Sequence, residues 1–205
     1  MKVVADLSYE SAEPTIYSEL ANLQASGADI FFDVTSAKFA AQTIKRTAEI
    51  GWKPLHILNS VSASIGSVFT PAGLENSAGI LSAIYLKDAT DPIWKDDAGF
   101  QEWSGFMDKY MAGIDKSNGF TIYGYVAAQT LIQILKQCGD DLSRENVMRQ
   151  AASLDRLALG MLLPGITIST SPTDYAPLKQ LQMVRFDGQH LVAFGPVMSG
   201  GMSRN

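Results

Sequence analysis

The feature that most constrains the fold is the alternation of short apolar runs with amphipathic segments near the start of the chain. Strand-like runs occupy Val3–Leu7, Ala28–Val34 and Pro54–Leu58. The intervening segments Thr15–Ala25 and Ser36–Ala48 carry apolar residues at helical spacing. Strands and helices that alternate through short connections predict a parallel sheet covered by helices. The predicted fold class is therefore α/β, and the middle strand is expected to be buried on both faces.

In the rest of the chain, the sequence pattern predicts one more strand, three helices and C-terminal strands that pair antiparallel. Asp187-Gly188 between two apolar runs is typical of a hairpin turn, because glycine tolerates the positive φ that a tight turn demands. Tyr125, Ala128, Ile132 and Leu135 share one face of the longest helix, as core residues do. In chain order, the predicted segments are strand Ile80–Tyr85, helices Phe100–Met111, Tyr123–Gln137 and Arg144–Ser153, and strands Pro164–Ser169, Lys179–Phe186 and His190–Val192.

Charge and cysteine content exclude several classes of function. The net charge is −5 and the isoelectric point is near 5.0, and the sequence has no basic stripe of the kind that binds nucleic acid. Its single cysteine, Cys138, rules out an internal disulfide and a multi-cysteine metal site. We therefore expect a structural or unpaired thiol at Cys138, and neither a nucleic-acid partner nor a bound metal.

The sequence also lacks the common catalytic motifs. It contains no phosphate-binding glycine loop, no nucleophile elbow and no histidine-rich metal motif. The adjacent carboxylates Asp96-Asp97 and Asp140-Asp141 precede helix starts, where such residues usually serve as caps. His56 lies inside an apolar strand and is expected to be a hydrogen-bonded core residue. We predict neither an enzyme nor a cofactor.

Polar loops follow three of the predicted strands, at the carboxyl edge where open α/β sheets bind ligands. These loops are Ser8-Tyr9-Glu10, Val34-Thr35-Ser36 and Asn59-Ser60-Val61-Ser62. Their hydroxyls and amides suit a small polar ligand, and Tyr9 adds an apolar face with a polar tip. The same residue types are also used for helix capping and turns. Spacing alone leaves both interpretations open.

Three stretches of the chain carry a resemblance to a known family. They are residues 28–60 (ADIFFDVTSAKFAAQTIKRTAEIGWKPLHILNS), 123–152 (YGYVAAQTLIQILKQCGDDLSRENVMRQAA) and 171–188 (SPTDYAPLKQLQMVRFDG). Together they resemble the binding proteins of branched-chain amino-acid ABC transporters, the leucine/isoleucine/valine-binding type. The resemblance implies a type I periplasmic-binding-protein fold, truncated here to the C-terminal portion and ending in an antiparallel hairpin. It also implies a periplasmic receptor that delivers a small solute to an ABC permease.

The resemblance also implies a domain division and a set of ligand contacts. Residues 1–115 correspond to the second lobe, 116–160 to helices that cross back to the first lobe, and 161–205 to a β segment across the hinge. The implied ligand contacts are Thr35, Ser36, Asn59, Ser60, Val61 and the aromatic Tyr125.

Ser60 departs from the family's pattern. Amino-acid binders of this type carry a carboxylate at about this position, which pairs with the ligand's ammonium group. A hydroxyl supplies no counter-charge, and a buried ammonium without one is costly. An organic or aromatic acid therefore competes with an amino acid as the expected ligand.

The family's proteins are roughly twice as long and begin with an export signal, whereas Asp6 interrupts the apolar run that follows Met1. An intracellular ligand sensor or interaction domain of the same fold is the alternative interpretation, and a non-functional fragment is a further one. The apolar faces of helices such as Tyr123–Leu135 are expected to be exposed and to favour self-association.

Overall fold

The structure is a computed structural model that describes residues 1–200. The chain divides into two compact units. The first unit consists of Met1–Ile84 and Met183–Phe194. The second contains Tyr85–Gln182 and the chain from Gly195 onward. The division 1–115, 116–160 and 161–205 stays a prediction, and its last residues, 201–205, lie outside the described part of the chain.

The first unit is built on a mostly parallel sheet. Strand β1 pairs in parallel with β2, and β2 pairs in parallel with β3. The last strands, β4 and β5, pair antiparallel around the predicted Asp187-Gly188 turn, where Gly188 has a φ of 106°. The bounds are α1 Tyr17–Ala25, β1 Ile30–Asp33, α2 Ala37–Glu49, β2 Leu55–Leu58, α3 Thr70–Ala72, α4 Leu74–Ser77, β3 Leu81–Ile84, β4 Gln180–Phe186 and β5 Leu191–Ala193. The predicted α/β class and the hairpin are confirmed.

The core of this unit lies between α2 and one face of the sheet. Ala40 and Ile44 of α2 are fully buried, as their four-residue spacing predicts. They pack with Leu58 of β2 and Phe186 of β4, and the ring of Phe186 lies 4.6 Å from that of Phe69. The strand order β1-β2-β3-β4-β5 places β1 at one end of the sheet.

The second unit is mainly helical. Its elements are α5 Ala98–Tyr110, α6 Gly119–Cys138, α7 Arg144–Ala151 and the short strand β6 Met198–Ser199. Strand β6 pairs with Gln180 and Leu181, in the part of β4 that belongs to this unit. Trp103 of α5 is fully buried against Ile122 and Val126 of α6. Buried Cys138 carries a free thiol, as predicted. Within residues 1–200, none of the helices has the length and apolarity that crossing a membrane requires.

Two predicted strands are absent, and the reason is the same for both. Val3–Leu7 belongs to no strand and makes no backbone–backbone hydrogen bond within the described chain, and Val3 is 75% exposed. Pro164–Ser169 forms only isolated bridges at Ile168, to Leu157 and Leu178. Residues with β propensity become a strand only when a neighbouring strand satisfies the backbone. Neither segment has such a neighbour along its length.

Two burial predictions were also wrong. Phe32 in β1 is 66% exposed, so this strand is buried on one face and not on both. In α6 the buried stripe is Ile122, Val126, Ile134 and Cys138. The predicted stripe is mostly at the surface, since Ile132 is 50% and Leu135 is 39% exposed. An apolar residue at helical spacing marks a face, but only packing decides which face is covered.

Candidate functional site

The predicted site residues of the first unit surround the carboxyl ends of β1 and β2. The backbone N–H of Ser36 donates to the hydroxyl of Tyr9 at 2.9 Å. The Asn59 side-chain amide donates to the Thr35 carbonyl at 2.8 Å. Ser60 and Val61 follow directly, in a short 3-10 helix over Ser60–Ser62. The structure therefore brings Tyr9, Thr35, Ser36, Asn59, Ser60 and Val61 together in one region.

Both polar atoms of the Asn59 side chain form hydrogen bonds within this region. Its Oδ1 accepts from the backbone N–H groups of Val61 and Ser62, at 3.0 and 3.2 Å. Its Nδ2 donates to the carbonyls of Asp33 and Thr35. The Ser62 hydroxyl also donates to the Thr35 carbonyl, at 2.6 Å. For Asn59 the structure thus supports the capping interpretation that the sequence left open.

Asp33 is the residue that sequence reasoning missed. This carboxylate ends β1 and is 1% exposed. Its Oδ1 accepts from the N–H and the hydroxyl of Thr35, at 3.1 and 2.7 Å. Its Oδ2 accepts from the Thr43 hydroxyl at 2.5 Å and lies 3.2 Å from Nε2 of His56. A lone charge in the apolar run Ile30–Val34 was the available signal, because a buried carboxylate needs donors.

His56 is buried as predicted, with 8% exposure. Its ring, on β2, lies 4.7 Å from that of Phe31 on β1. Together with Thr43 it completes the set of donors around Asp33. The cluster fixes the position of Thr35 at the end of β1. Among residues 1–200, no group of His, Cys, Asp and Glu side chains is arranged to hold a metal ion.

Three hydroxyl groups in this region can still form a hydrogen bond to a ligand. Ser36 is the N-cap residue of α2, yet its side chain makes no capping hydrogen bond. The Ser60 hydroxyl has no hydrogen bond to any other residue of the described chain. The Tyr9 oxygen accepts from Ser36 N–H, which leaves its own proton available. These three groups, together with exposed Val61, form a surface that suits a small polar solute.

Tyr125 belongs to the second unit. Its hydroxyl donates to Glu102 Oε1 at 3.3 Å, and its ring lies 5.2 Å from that of Phe106. Burial raises the pKa of the Tyr125 phenol above its ordinary value of 10.0, and the Glu102 carboxylate raises it further. The phenol is therefore protonated at neutral pH and can act as a hydrogen-bond donor.

A cavity of about 820 Å³ also opens in the first unit. Residues 1–9 and 28–35 form most of its lining, with contributions from α1 and Trp52. Tyr9 and Thr35 are the predicted site residues that take part in its lining. The cavity therefore adjoins the polar region, but most of its wall is a different, apolar surface.

Comparison with known proteins identifies the family. The family model described as periplasmic binding protein matches residues 1–190. No curated protein sequence matches the chain significantly. Structures of the type named by the resemblance are among those that match. One is a branched chain amino acid ABC transporter protein from Thermus thermophilus with bound valine, with a TM-score of 0.76 and 15% identity. The match covers 90% of this chain and 49% of the Thermus thermophilus protein.

Two further solved structures resemble the chain equally broadly. An ABC transporter solute binding protein from R. palustris, in complex with 4-hydroxybenzoate, has a TM-score of 0.73 and 13% identity, over 97% of this chain and 52% of that one. A leucine binding protein from Thermotoga maritima has a TM-score of 0.61 and 13% identity, and the match covers 93% of this chain and 50% of that protein. At such identities the likeness concerns the fold, and this chain spans about half the length of these proteins. By its match along residues 1–190, the chain belongs to the periplasmic binding protein family.

Proposed function

We propose that this chain serves in solute capture for an ABC importer, binding a small amino acid or an organic or aromatic acid. The observation that carries this proposal is the family match over residues 1–190, joined to a polar region at the carboxyl ends of β1 and β2. We also propose that the protein works in the periplasm and passes its solute to an ABC permease. The family is one of solute-binding proteins, so we propose no catalytic role.

The proposed contacts are the seven residues predicted from the sequence. Ser36, Ser60 and Tyr9 would supply hydrogen bonds to the solute, because their hydroxyls keep free capacity. Asn59 and Thr35 would act mainly by holding the loops in position. Val61, at 64% exposure, would supply an apolar contact. Tyr125 is proposed as a contact from the resemblance alone.

Charge favours an acid over a zwitterionic amino acid in the proposed site. Ser60 has no charge to pair with an ammonium group, and the nearby Asp33 carboxylate is already bound by Thr35 and Thr43. By contrast, Ser36 leaves the first-turn N–H groups of α2 uncapped by its side chain, and these favour an anion. We therefore propose a carboxylate without an ammonium group as the preferred solute.

Titration calorimetry with two probes tests this preference. We expect 4-hydroxybenzoate to bind at least about tenfold more tightly than valine, a difference of about 1.4 kcal/mol. Ser60→Asp should reverse the order, because the new carboxylate repels an anion and pairs with an ammonium. Ser18→Asp, at an exposed position of α1, is the matched control and should leave the order unchanged. If Ser60→Asp alters neither affinity, Ser60 does not contact the solute.

A further inference from the structure

The second unit contains a polar cavity of about 350 Å³, and none of the proposed solute contacts lines it. Its volume lies within the range that small-molecule sites occupy. The cavity adjoins the place where Gln180 of β4 pairs with Ser199 of β6. Its lining residues all belong to the second unit, and they are Thr167, Ser169, Pro177, Lys179, Gln180, Ser199 and Gly200.

Two side chains of this lining already use an acceptor atom within the protein. The Ser169 hydroxyl oxygen accepts from the Arg156 N–H at 2.9 Å. The Gln180 Oε1 atom accepts from the Thr167 N–H at 3.2 Å. These bonds leave the Ser169 hydroxyl proton and the Gln180 NH₂ group, which are both donors.

Two backbone carbonyls of the lining are also occupied. The Pro177 carbonyl accepts from the Ser169 N–H at 3.0 Å, and the Lys179 carbonyl accepts from the Gly200 N–H at 2.8 Å. The internal hydrogen bonds of the wall therefore consume acceptors and leave donors. A ligand that supplies acceptor atoms complements such a wall.

Lys179 adds a positive charge to these donors. Its ammonium group lies 2.9 Å from Oδ2 of Asp174, which does not line the cavity. The two side chains are 33% and 47% exposed, and a pair this accessible to solvent contributes little to stability. An ammonium group has three N–H donors, so Lys179 can bond to a ligand as well as to Asp174.

We propose that this cavity binds a small molecule through an oxyanion, either a phosphate or a carboxylate group. The oxyanion would accept hydrogen bonds from Lys179 Nζ, Gln180 Nε2 and the Ser169 hydroxyl, and charge-assisted bonds of this kind are among the stronger ones. A cation fits less well, because Lys179 repels it. This inference does not depend on the proposed solute site, which is formed by other residues.

Inorganic phosphate is the first probe, and acetate is the second. We would titrate each into the whole chain and follow its amide signals by NMR, with sodium chloride holding the ionic strength constant. The Gln180 side-chain amide signals should shift and saturate at millimolar concentration, because that group gains an acceptor. Glycerol, a neutral molecule, should not move them. Saturation with phosphate alone assigns a phosphate group to the ligand, and saturation with acetate alone assigns a carboxylate.

Three variants test the donors individually. Lys179→Met should weaken binding at least about tenfold, because the charge-assisted bond is lost. Gln180→Glu should abolish binding, since glutamate still accepts from Thr167 N–H but replaces the free donor with a negative charge. Asp174→Asn should tighten binding, because Lys179 loses a competing carboxylate, while asparagine still accepts from Ala176 N–H.

Two controls separate this site from surface charge and from the proposed solute site. Lys136→Met removes an exposed lysine of α6 and should leave the affinity unchanged. Ser60→Asp should also leave it unchanged, although that variant alters the proposed solute site. Circular dichroism would establish that each variant is folded.

Three results would overturn the oxyanion cavity. The first is a folded chain whose Gln180 side-chain signals respond to neither phosphate nor acetate. The second is an affinity that Gln180→Glu and Lys179→Met leave unchanged in folded variants. The third is a response that Lys136→Met weakens as much as Lys179→Met, which would mean that anions bind to general surface charge.

Discussion

Asp33 shows how one buried charge organises the proposed site. Its two oxygens hold Thr35, Thr43 and His56, which come from the end of β1, from α2 and from β2. A buried carboxylate is tolerated only when donors replace its lost hydration. The cluster therefore serves a structural purpose, and it keeps the loop that carries Thr35 and Ser36 in one conformation.

Replacing Asp33 tests this structural purpose. Asp33→Ala should lower the free energy of unfolding by about 3 kcal/mol, because the buried side chains of Thr43 and His56 lose their carboxylate partner. Glu49→Ala is the control, since its ion pair with Arg46 is exposed and should contribute less than about 1 kcal/mol. Urea denaturation measures both. An Asp33→Ala loss no greater than that of Glu49→Ala would contradict the account.

Helix α5 offers a matched pair of glycines. A Cβ atom at Gly99 would collide with the backbone at Gly160, and one at Gly160 would lie 2.7 Å from the Gly99 Cα. A Cβ at Gly105, in the same helix, meets nothing within 4 Å. Gly99→Ala should destabilise the chain by about 1–3 kcal/mol through overpacking. Gly105→Ala should stabilise it by about 0.5–1 kcal/mol through helix propensity.

Thermal and urea unfolding of the two variants measure this difference. The expected result is a change of opposite sign at the two positions. If Gly99→Ala were neutral, the backbones of α5 and the turn at Gly160 would not be in close contact, and the packing described for this unit would be wrong.

Sequence reasoning grouped the loops of the proposed site, but it did not predict the hydrogen bonds that their side chains make. Tyr9, Thr35 and Asn59 lie where strand ends were expected, because carboxyl ends of parallel strands share an edge. Their hydrogen bonds, however, go largely to the protein itself. Spacing cannot reveal this, since an Asn that caps a turn and an Asn that binds a solute have the same pattern. The Asp33 cluster depends on contacts between residues distant in sequence, which periodicity does not report.

At the scale of elements, patterns in the sequence were most reliable where packing and propensity agreed. Helices α1, α2, α5 and α7 and the hairpin of β4 and β5 lie within a few residues of their predicted positions. Val3–Leu7 was predicted as a strand and is not one, because its backbone has no partner. For α6, the predicted range Tyr123–Gln137 lies inside the observed Gly119–Cys138, which begins four residues earlier. The predicted buried face was wrong, since burial depends on what the helix packs against.

The junction between Lys87 and α5 should make stability depend on pH. Lys87 is 5% exposed and donates to Asp97, the N-cap of α5, and to the Gly160 carbonyl at 2.7 Å. The hydrogen bond from Lys87, followed by that from Phe100 N–H, holds the pKa of Asp97 below its ordinary value of 3.8. Because the folded pKa is lowered, this stabilisation is present above pH 3.8 and is lost as the pH falls through the folded value.

Asp97→Asn isolates the charge, because asparagine still caps Phe100 N–H. The difference in unfolding free energy between the unaltered chain and Asp97→Asn should have its largest value at pH 7 and should decrease below pH 3.8. Asp96→Asn is the control, since the Asp96 side chain is 85% exposed and its ion pair spans 3.9 Å. Urea denaturation at several pH values measures both variants. A constant cost of Asp97→Asn across the range would contradict the ion pair.

At the scale of the whole molecule, exposed apolar residues of α6 predict self-association. Tyr123, Leu131 and Ile132 are each at least half exposed. Apolar surface of this kind drives association in water. Sedimentation velocity should show a weight-average mass that rises with concentration, and Leu131→Lys should reduce the rise. Val192→Lys, at a 49% exposed position of β5, is the matched control and should not. A monomer at all concentrations would refute this expectation.

The central claim is that the chain binds a small solute, and thermal unfolding of the purified protein against a panel of solutes tests it most directly. The panel would contain branched-chain amino acids, aromatic acids and short organic acids. A solute that binds the folded state raises the midpoint by mass action, with about 2.7 kcal/mol of stabilisation at a hundred times its Kd. We predict a concentration-dependent rise that is larger with acids that lack an ammonium group than with the amino acids. A cooperative transition whose midpoint no compound moves at millimolar concentration would contradict the claim.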